Sequence, residues 1–226
     1  MTQVINVNPV PNDRLELLRS ELMTAGRKIQ VSDRGTGART LPAERRIADI
    51  ARRSLSPARF SCLYQRLINR FKCSVIIELG TSLGINTMYL AQSPHAKVFT
   101  FEGAPAIAAI AHKNFERMGM KNITLIEGDI AEALPSFVSR QPRIDLAFMD
   151  ANHTSDATRM YFGQILNALH DGSIVIVDDI HLSEEMENAW VWVRDQERVS
   201  VTLDLYRCGI VFFTPLLDKQ HVVLKA

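Results

Sequence analysis

Residues 74–86, SVIIELGTSLGIN, carry an apolar run that ends on Glu78 and Leu79 and then breaks into a loop bounded by Gly80 and Gly84. The run is apolar at successive rather than alternate positions, which fits a strand covered on both faces. Four runs of the same kind follow: KVFTFE (97–102), NITLIEG (122–128), IDLAFMD (144–150) and SIVIVDD (173–179). The stretches between and after them, near 84–92, 104–118, 130–139, 155–169 and 183–198, have helical length and spacing. Five strand–helix units in succession predict an α/β chain with a doubly wound sheet of five parallel strands.

The flanks differ from this centre. SVTLDLYR (200–207) and IVFFT (210–214) read as an antiparallel C-terminal hairpin joined by Cys208-Gly209, and HVVLK (221–225) as one further strand. Upstream, Phe60, Leu63, Tyr64, Leu67, Ile68 and Phe71 form a helical stripe after Pro57. Asp13 is the expected cap of an earlier helix bearing Leu15, Leu18 and Leu22, with Gly26 as its stop, and Pro42 opens another. Ser32 to Thr40 (SDRGTGART) reads as an exposed loop. The expected division is an N-terminal helical arm, 1–56, ahead of a domain spanning 57–226.

Composition removes whole classes of function. The chain has 226 residues, with 26 Lys+Arg against 25 Asp+Glu for a formal charge of +1. That balance argues against a protein held to nucleic acid or anionic lipid by its overall field. No apolar run approaches the ~20 residues of a membrane helix, and MTQVINVNPVPNDR does not resemble a secretion signal. Cys62, Cys73 and Cys208 are odd in number and widely spaced, so they read as free thiols of a cytoplasmic protein.

In an open parallel sheet, ligands bind at the carboxyl ends of the strands. Read in order, those ends give Glu78, Glu102, Asp129, Asp150 and the pair Asp178–Asp179, an acid at or just after every strand. The loop Gly80-Thr81-Ser82-Leu83-Gly84 allows a tight turn and close ligand approach, with Ser82 where a dinucleotide fingerprint has its middle glycine. Glu102 lies 24 residues after Glu78 at the end of the second strand, where a carboxylate can accept from both hydroxyls of a ribose.

E-L-G-T-S-L-G, F-T-F-E-G and I-E-G-D, together with the antiparallel ending, resemble the motifs of class I S-adenosylmethionine-dependent methyltransferases. Within that class the pattern is similar to the catechol O-methyltransferase-like and macrolide sugar O-methyltransferase-like enzymes, over residues 60–214. The resemblance implies a Rossmann-like sheet with N-terminal helices, and S-adenosyl-L-methionine as cofactor. It places Gly80 and Gly84 along the methionine part, Glu78 near the amino group, Glu102 on the ribose and Asp129 near the adenine. Thr81, Ser82, Gly103 and Asp150 complete the implied contacts. A sulfonium that also carries an ammonium suits an acidic edge, where the phosphates of NAD would be repelled.

Three carboxylates without a thiolate, Asp150, Asp178 and Asp179, suit a hard cation, Mg²⁺ or Ca²⁺. The catechol enzymes have Asp-Asn where this chain has Asp178-Asp179, and the sugar enzymes have the acidic pair. His153, three residues after Asp150, stands where the catechol enzymes carry a lysine base and the sugar enzymes a histidine, and an imidazole suits proton removal near neutrality. His181 is a weaker candidate for base or acceptor contact. Trp190 shares a helical face with Met186, Ala189 and Val193 and reads as core. Ser183 reads as an N-cap, and Arg45, Arg46, Arg52 and Arg53 as a basic helix face.

The expected function is methyl transfer to a hydroxyl of a small molecule. The arm and the 32–40 loop are expected to cover the acceptor or to form a homodimer contact. The alternatives are a tRNA-modifying O-methyltransferase, a non-catalytic cofactor-binding module and, third, an NAD-dependent oxidoreductase.

Overall fold

The computed structural model describes residues 10–32, 42–141, 143–215 and 218–224. Five parallel strands form its centre: β3 (Val75–Leu79), β4 (Lys97–Glu102), β5 (Ile123–Glu127), β6 (Ile144–Met149) and β7 (Leu169–Asp178). Helices α4 (Ile85–Leu90), α5 (Pro105–Met118), α6 (Ile130–Arg140) and α7 (Ser155–Ile165) link them in turn, and α8 (Glu184–Asp195) follows β7. Spatially the order runs β5-β4-β3-β6-β7, so the direction of winding reverses between β3 and β6. β9 (Cys208–Phe212) adds antiparallel to β7, β8 (Val201–Asp204) antiparallel to β9, and β10 (Gln220–Val223) lies parallel to β8 at the edge.

The continuous apolar runs follow from two covered faces. Ile77, Leu79, Ala147, Met149, Val175 and Val177 face α6, α7 and α8. Their immediate neighbours Ile76, Leu146, Phe148, Ile174 and Ile176 face α3 (Ala58–Phe71), with Phe60, Tyr64, Leu67 and Ile68.

The arm departs from the expected string of helices. Helix α1 (Asp13–Thr24) is capped by Asn12, whose side chain accepts from the Arg14 and Leu15 amides, so Asp13 is its first residue. Pro42 opens no helix: β1 (Lys28–Gln30) and β2 (Glu44–Arg46) pair as an antiparallel ribbon that runs into α2 (Ile47–Ser54). The ribbon puts Arg45 and Arg46 on opposite faces, so they do not share one helix face with Arg52 and Arg53. Leu15, Leu18, Leu22, Ile29 and Ile50 join Leu83, Met88, Ile107 and Phe115 in one buried cluster that docks the arm on α4 and α5. Most of the 32–40 loop lies outside the described residues, as does Lys225.

Cys208 and Gly209 do not connect the hairpin; they begin β9, and the turn falls at 205–207, with Tyr206 at φ 66°. Gly209 is needed for packing instead. A Cβ there would lie 2.4 Å from the ring of the buried Trp190. Trp190 is core, as expected.

Candidate active site

The acids at the strand ends divide into two groups. Glu78 is fully buried and does not line the cavity at the sheet edge. Its carboxylate accepts from Thr87, from Thr100 Oγ1 (2.6 Å) and from Asn86 Nδ2 (3.0 Å), which ties β3 to β4 and α4. Burial pushes this carboxyl up to about 7, although the three hydrogen bonds oppose the shift. Thr81 is buried too, its hydroxyl 2.6 Å from that of Thr100. Gly84 also turns inward: it has φ +83°, and a Cβ there would lie 2.4 Å from the Phe115 ring.

The second group surrounds a cavity of about 1280 Å³, with Gly80, Ser82, Glu102, Gly103, Asp129, Asp150, His153 and Asp179 in its wall. Gly80, at φ +102°, lets the ends of β3 and β6 meet, since a Cβ would lie 2.2 Å from the Asp150 carbonyl oxygen. Glu102 is fixed by two amides. Ser82 N donates to Oε2 and Ala104 N to Oε1, both at 2.9 Å. Asp129 caps α6, accepting from Ala131 N at 2.9 Å. The arm supplies the opposite wall through Lys28, Arg46, Ile50, Arg53 and Ser54. Ser54 and Ser82 touch hydroxyl to hydroxyl at 2.5 Å.

At one end of the cavity the side chains of Asp150, His153 and Asp179 converge, one ligand atom from each lying within 4.8 Å of the others. His153 Nε2 is 3.4 Å from Asp150 Oδ1. Asn152, His153 and Asp179 all adopt left-handed backbone, at φ 64°, 39° and 53°. Non-glycine residues held this way cost of order 1–3 kcal/mol each, and they gather where side chains must be aimed. Asn152 Nδ2 donates to the Tyr161 hydroxyl at 2.6 Å.

Asp178 lies outside this group. It is 1% exposed, accepting from Arg207 Nη2 at 2.8 Å and from the Tyr64 hydroxyl at 3.4 Å. Asp179 lies just past the last residue of β7 in left-handed backbone and enters the cavity wall, while Asp178 stays buried at the strand end; Arg207 Nη2 reaches both, at 3.8 Å and 2.8 Å. Burial, and then repulsion from Asp178 and Asp179, raise the Asp150 carboxyl well above the usual range. Burial raises Asp178 to about 6 against the pull of Arg207. Burial lowers His153, which favours the neutral imidazole that a base requires, although Asp179 opposes the shift.

Arg207, in the β8–β9 turn, is the site residue that sequence reasoning missed. It belongs to no motif, and only the fold brings it beside the acidic pair. His181 stands apart from the converging group, bonded to Asp204 at 2.9 Å and Glu187 at 3.1 Å. Burial would lower it, but these two carboxylates prevail and raise it.

A sequence family described as "Methyltransferase domain" matches residues 77–180, which cover the glycine loop, all five parallel strands save the first two residues of β3, and both acids of the 178–179 pair. The chain is 26% identical over 130 residues to a catechol O-methyltransferase of Mycobacterium tuberculosis, covering 56% of each chain. It is 28% identical over 131 residues to a catechol O-methyltransferase of Niastella koreensis, covering 56% of this chain and 58% of that one. Over these regions the chain is similar to the class I S-adenosylmethionine-dependent methyltransferases. The matched regions span just over half the length of these two relatives. A solved O-methyltransferase from Bacillus cereus, in complex with SAH, shares the fold at TM-score 0.66 and 20% identity, over 93% of this chain and 96% of that one.

The cavity suits the cofactor S-adenosyl-L-methionine. Glu102, Asp129 and Asp150 offer anionic oxygens to a ligand bearing a sulfonium and an ammonium, and the fixed Glu102 is placed to accept from hydroxyls. The donor set of Asp150, Asp179 and His153, two carboxylates and an imidazole, also suits a divalent cation that completes its shell with water. Among the described residues, no helix is long and apolar enough to cross a membrane.

Proposed function

We propose that this methyltransferase transfers a methyl group from S-adenosyl-L-methionine to a hydroxyl of a small molecule, assisted by a divalent cation. The convergence of Asp150, His153 and Asp179 on one end of the cavity carries the reading. Asp150 and Asp179 would hold Mg²⁺ or Ca²⁺, and the ion, when bound, would make an acceptor hydroxyl more acidic. Asp178, gripped by Arg207 and Tyr64, supports the strand end behind them.

A neutral hydroxyl is a poor nucleophile, so a base must take its proton. His153 has that role in this reading: its ring lines the cavity, and burial keeps it neutral. Gly80, Ser82, Gly103 and Asp129 line the cofactor's half of the cavity, and Glu102 orients its ribose. Orientation then supplies much of the acceleration, since the donor methyl is already electrophilic. The arm, 1–56, covers the acceptor half through Arg46, Ile50 and Arg53. Its charges are interleaved, Lys28 with Glu44 and Arg52 with Asp49, which favours a small acceptor over a nucleic-acid backbone.

Calorimetric titration with S-adenosylhomocysteine, run with Mg²⁺ and again with a chelator, tests the reading. Micromolar binding in both is expected, with turnover of a hydroxyl-bearing panel falling only under the chelator. Absence of binding in both would overturn it.

A further inference from the structure

The reactive end of the cavity carries more negative charge than its converging group accounts for. Asp150 and Asp179 line the cavity, and Asp178 lies behind them with its side chain fully buried. Arg207 is the countercharge. Its Nη2 donates to Asp178 Oδ2 at 2.8 Å and stands 3.8 Å from Asp179 Oδ1.

The fold holds this guanidinium in place. The centre of the Phe60 ring lies 5.8 Å from it. The Arg207 carbonyl oxygen accepts from the Ile180 amide at 3.3 Å, and the Arg207 amide donates to the Leu205 carbonyl at 2.8 Å. The β8–β9 turn is thereby laced to the residue that follows the acidic pair. Asp178 also accepts from the Tyr64 hydroxyl at 3.4 Å. Phe60 and Tyr64 are four residues apart on α3 and share one of its faces. One helix therefore supplies a ring for the guanidinium and a hydrogen bond for its carboxylate partner.

A carboxylate buried beside two others is strongly disfavoured unless it is paired. Paired with Arg207, Asp178 adds no net charge. An ion arriving between Asp150 and Asp179 then meets two uncompensated carboxylates rather than three. The guanidinium also faces Asp179, so it competes with the ion for that oxygen. Charges this close and this buried are screened far less than in water, so each is felt at the site.

Resting on the cation site proposed above, we infer that Arg207 is a positioning residue that sets the strength of that site: it neutralises Asp178, withholds it from the ion and lowers the affinity for divalent cations. Asp178 is then a partner of Arg207 and not a ligand. Removing either member of the pair shifts cation affinity, and the two shifts have opposite sign, which a merely structural role for the pair does not produce.

The experiment is Mn²⁺ titration of the full chain at pH 8 with S-adenosylhomocysteine present, read from the electron paramagnetic resonance signal of the unbound ion. Arg207→Gln is expected to bind Mn²⁺ about tenfold or more tightly than wild type, and Asp178→Asn about tenfold or more weakly, the scale of one unit charge acting on a nearby divalent ion. The double variant removes a neutral pair, so its affinity is expected within about threefold of wild type. It leaves neither partner charged and alone, so it reports even where a single variant folds poorly. Arg207→Gln binding no more tightly than wild type would overturn the inference. A double variant as weak as Asp178→Asn would overturn it too, since Asp178 would then be a ligand of the ion. Mn²⁺ bound by neither wild type nor any variant would overturn the cation site itself.

Discussion

Glu78 makes the stability of this protein depend on pH in a way that one substitution isolates. Its carboxyl sits at about 7 in the folded chain, against an ordinary 4.5. A carboxyl raised on folding binds its proton more tightly in the native state, so stability is full at low pH and is lost as pH climbs from 4.5 through 7. At about 1.4 kcal/mol per tenfold difference, the full loss is about 3.4 kcal/mol, of which about 2.5 kcal/mol falls between pH 5 and pH 8. Glu78→Gln fills the same space without titrating. The assay is urea unfolding of both proteins at pH 5 and pH 8, followed by tryptophan fluorescence. The quantity read is the change in ΔG across the two pH values, so a constant cost of the substitution cancels. Wild type is expected to lose about 2.5 kcal/mol more than the variant. Equal losses would show that Glu78 is ionised at no cost, and the buried anchor described above would be wrong.

Gly209→Ala is expected to destabilise by about 3 kcal/mol, because the new Cβ would overlap the buried Trp190 ring, lowering Tm by roughly 6–12 °C in calorimetric melting. His153→Ala should lower turnover by about 10²–10⁴-fold while S-adenosylhomocysteine binds as before; a loss under tenfold would remove it as the base. Asp179→Ala should abolish Mg²⁺ stimulation of turnover with cofactor affinity retained, and stimulation that persists would dismiss the cation site. Glu102→Ala should weaken S-adenosylhomocysteine about tenfold or more by calorimetry, the scale of losing a charged acceptor.

The central sheet was legible because a strand buried on both faces leaves an apolar run with no gaps, and the runs at 97–102 and 144–150 match the strands within a residue. The acidic edge was legible for the same reason, since an acid marks where each run stops. Which of those acids meets the cavity was not. Glu78 is one residue from the end of β3 and points into the fold, while Glu102, the last residue of β4, reaches the cavity wall. Gly84 and Gly209 make room for the Phe115 and Trp190 rings, and a glycine required by a distant ring reads like a glycine required by a turn. The arm ribbon escaped notice because three-residue strands show no period. Arg207 escaped because its partners lie 28 and 29 residues earlier, across α8 and β8.

The contact between Ser54 and Ser82 has a consequence for redesign. Ser54 ends the arm helix at the cavity wall, and the amide of Ser82 is the donor that fixes Glu102. Arm, glycine loop and the acid assigned to the ribose are thus linked in series. An engineer who transplants another arm to retune acceptor choice would disturb the cofactor's seat in the same cut, so the transferable unit is the arm together with its loop.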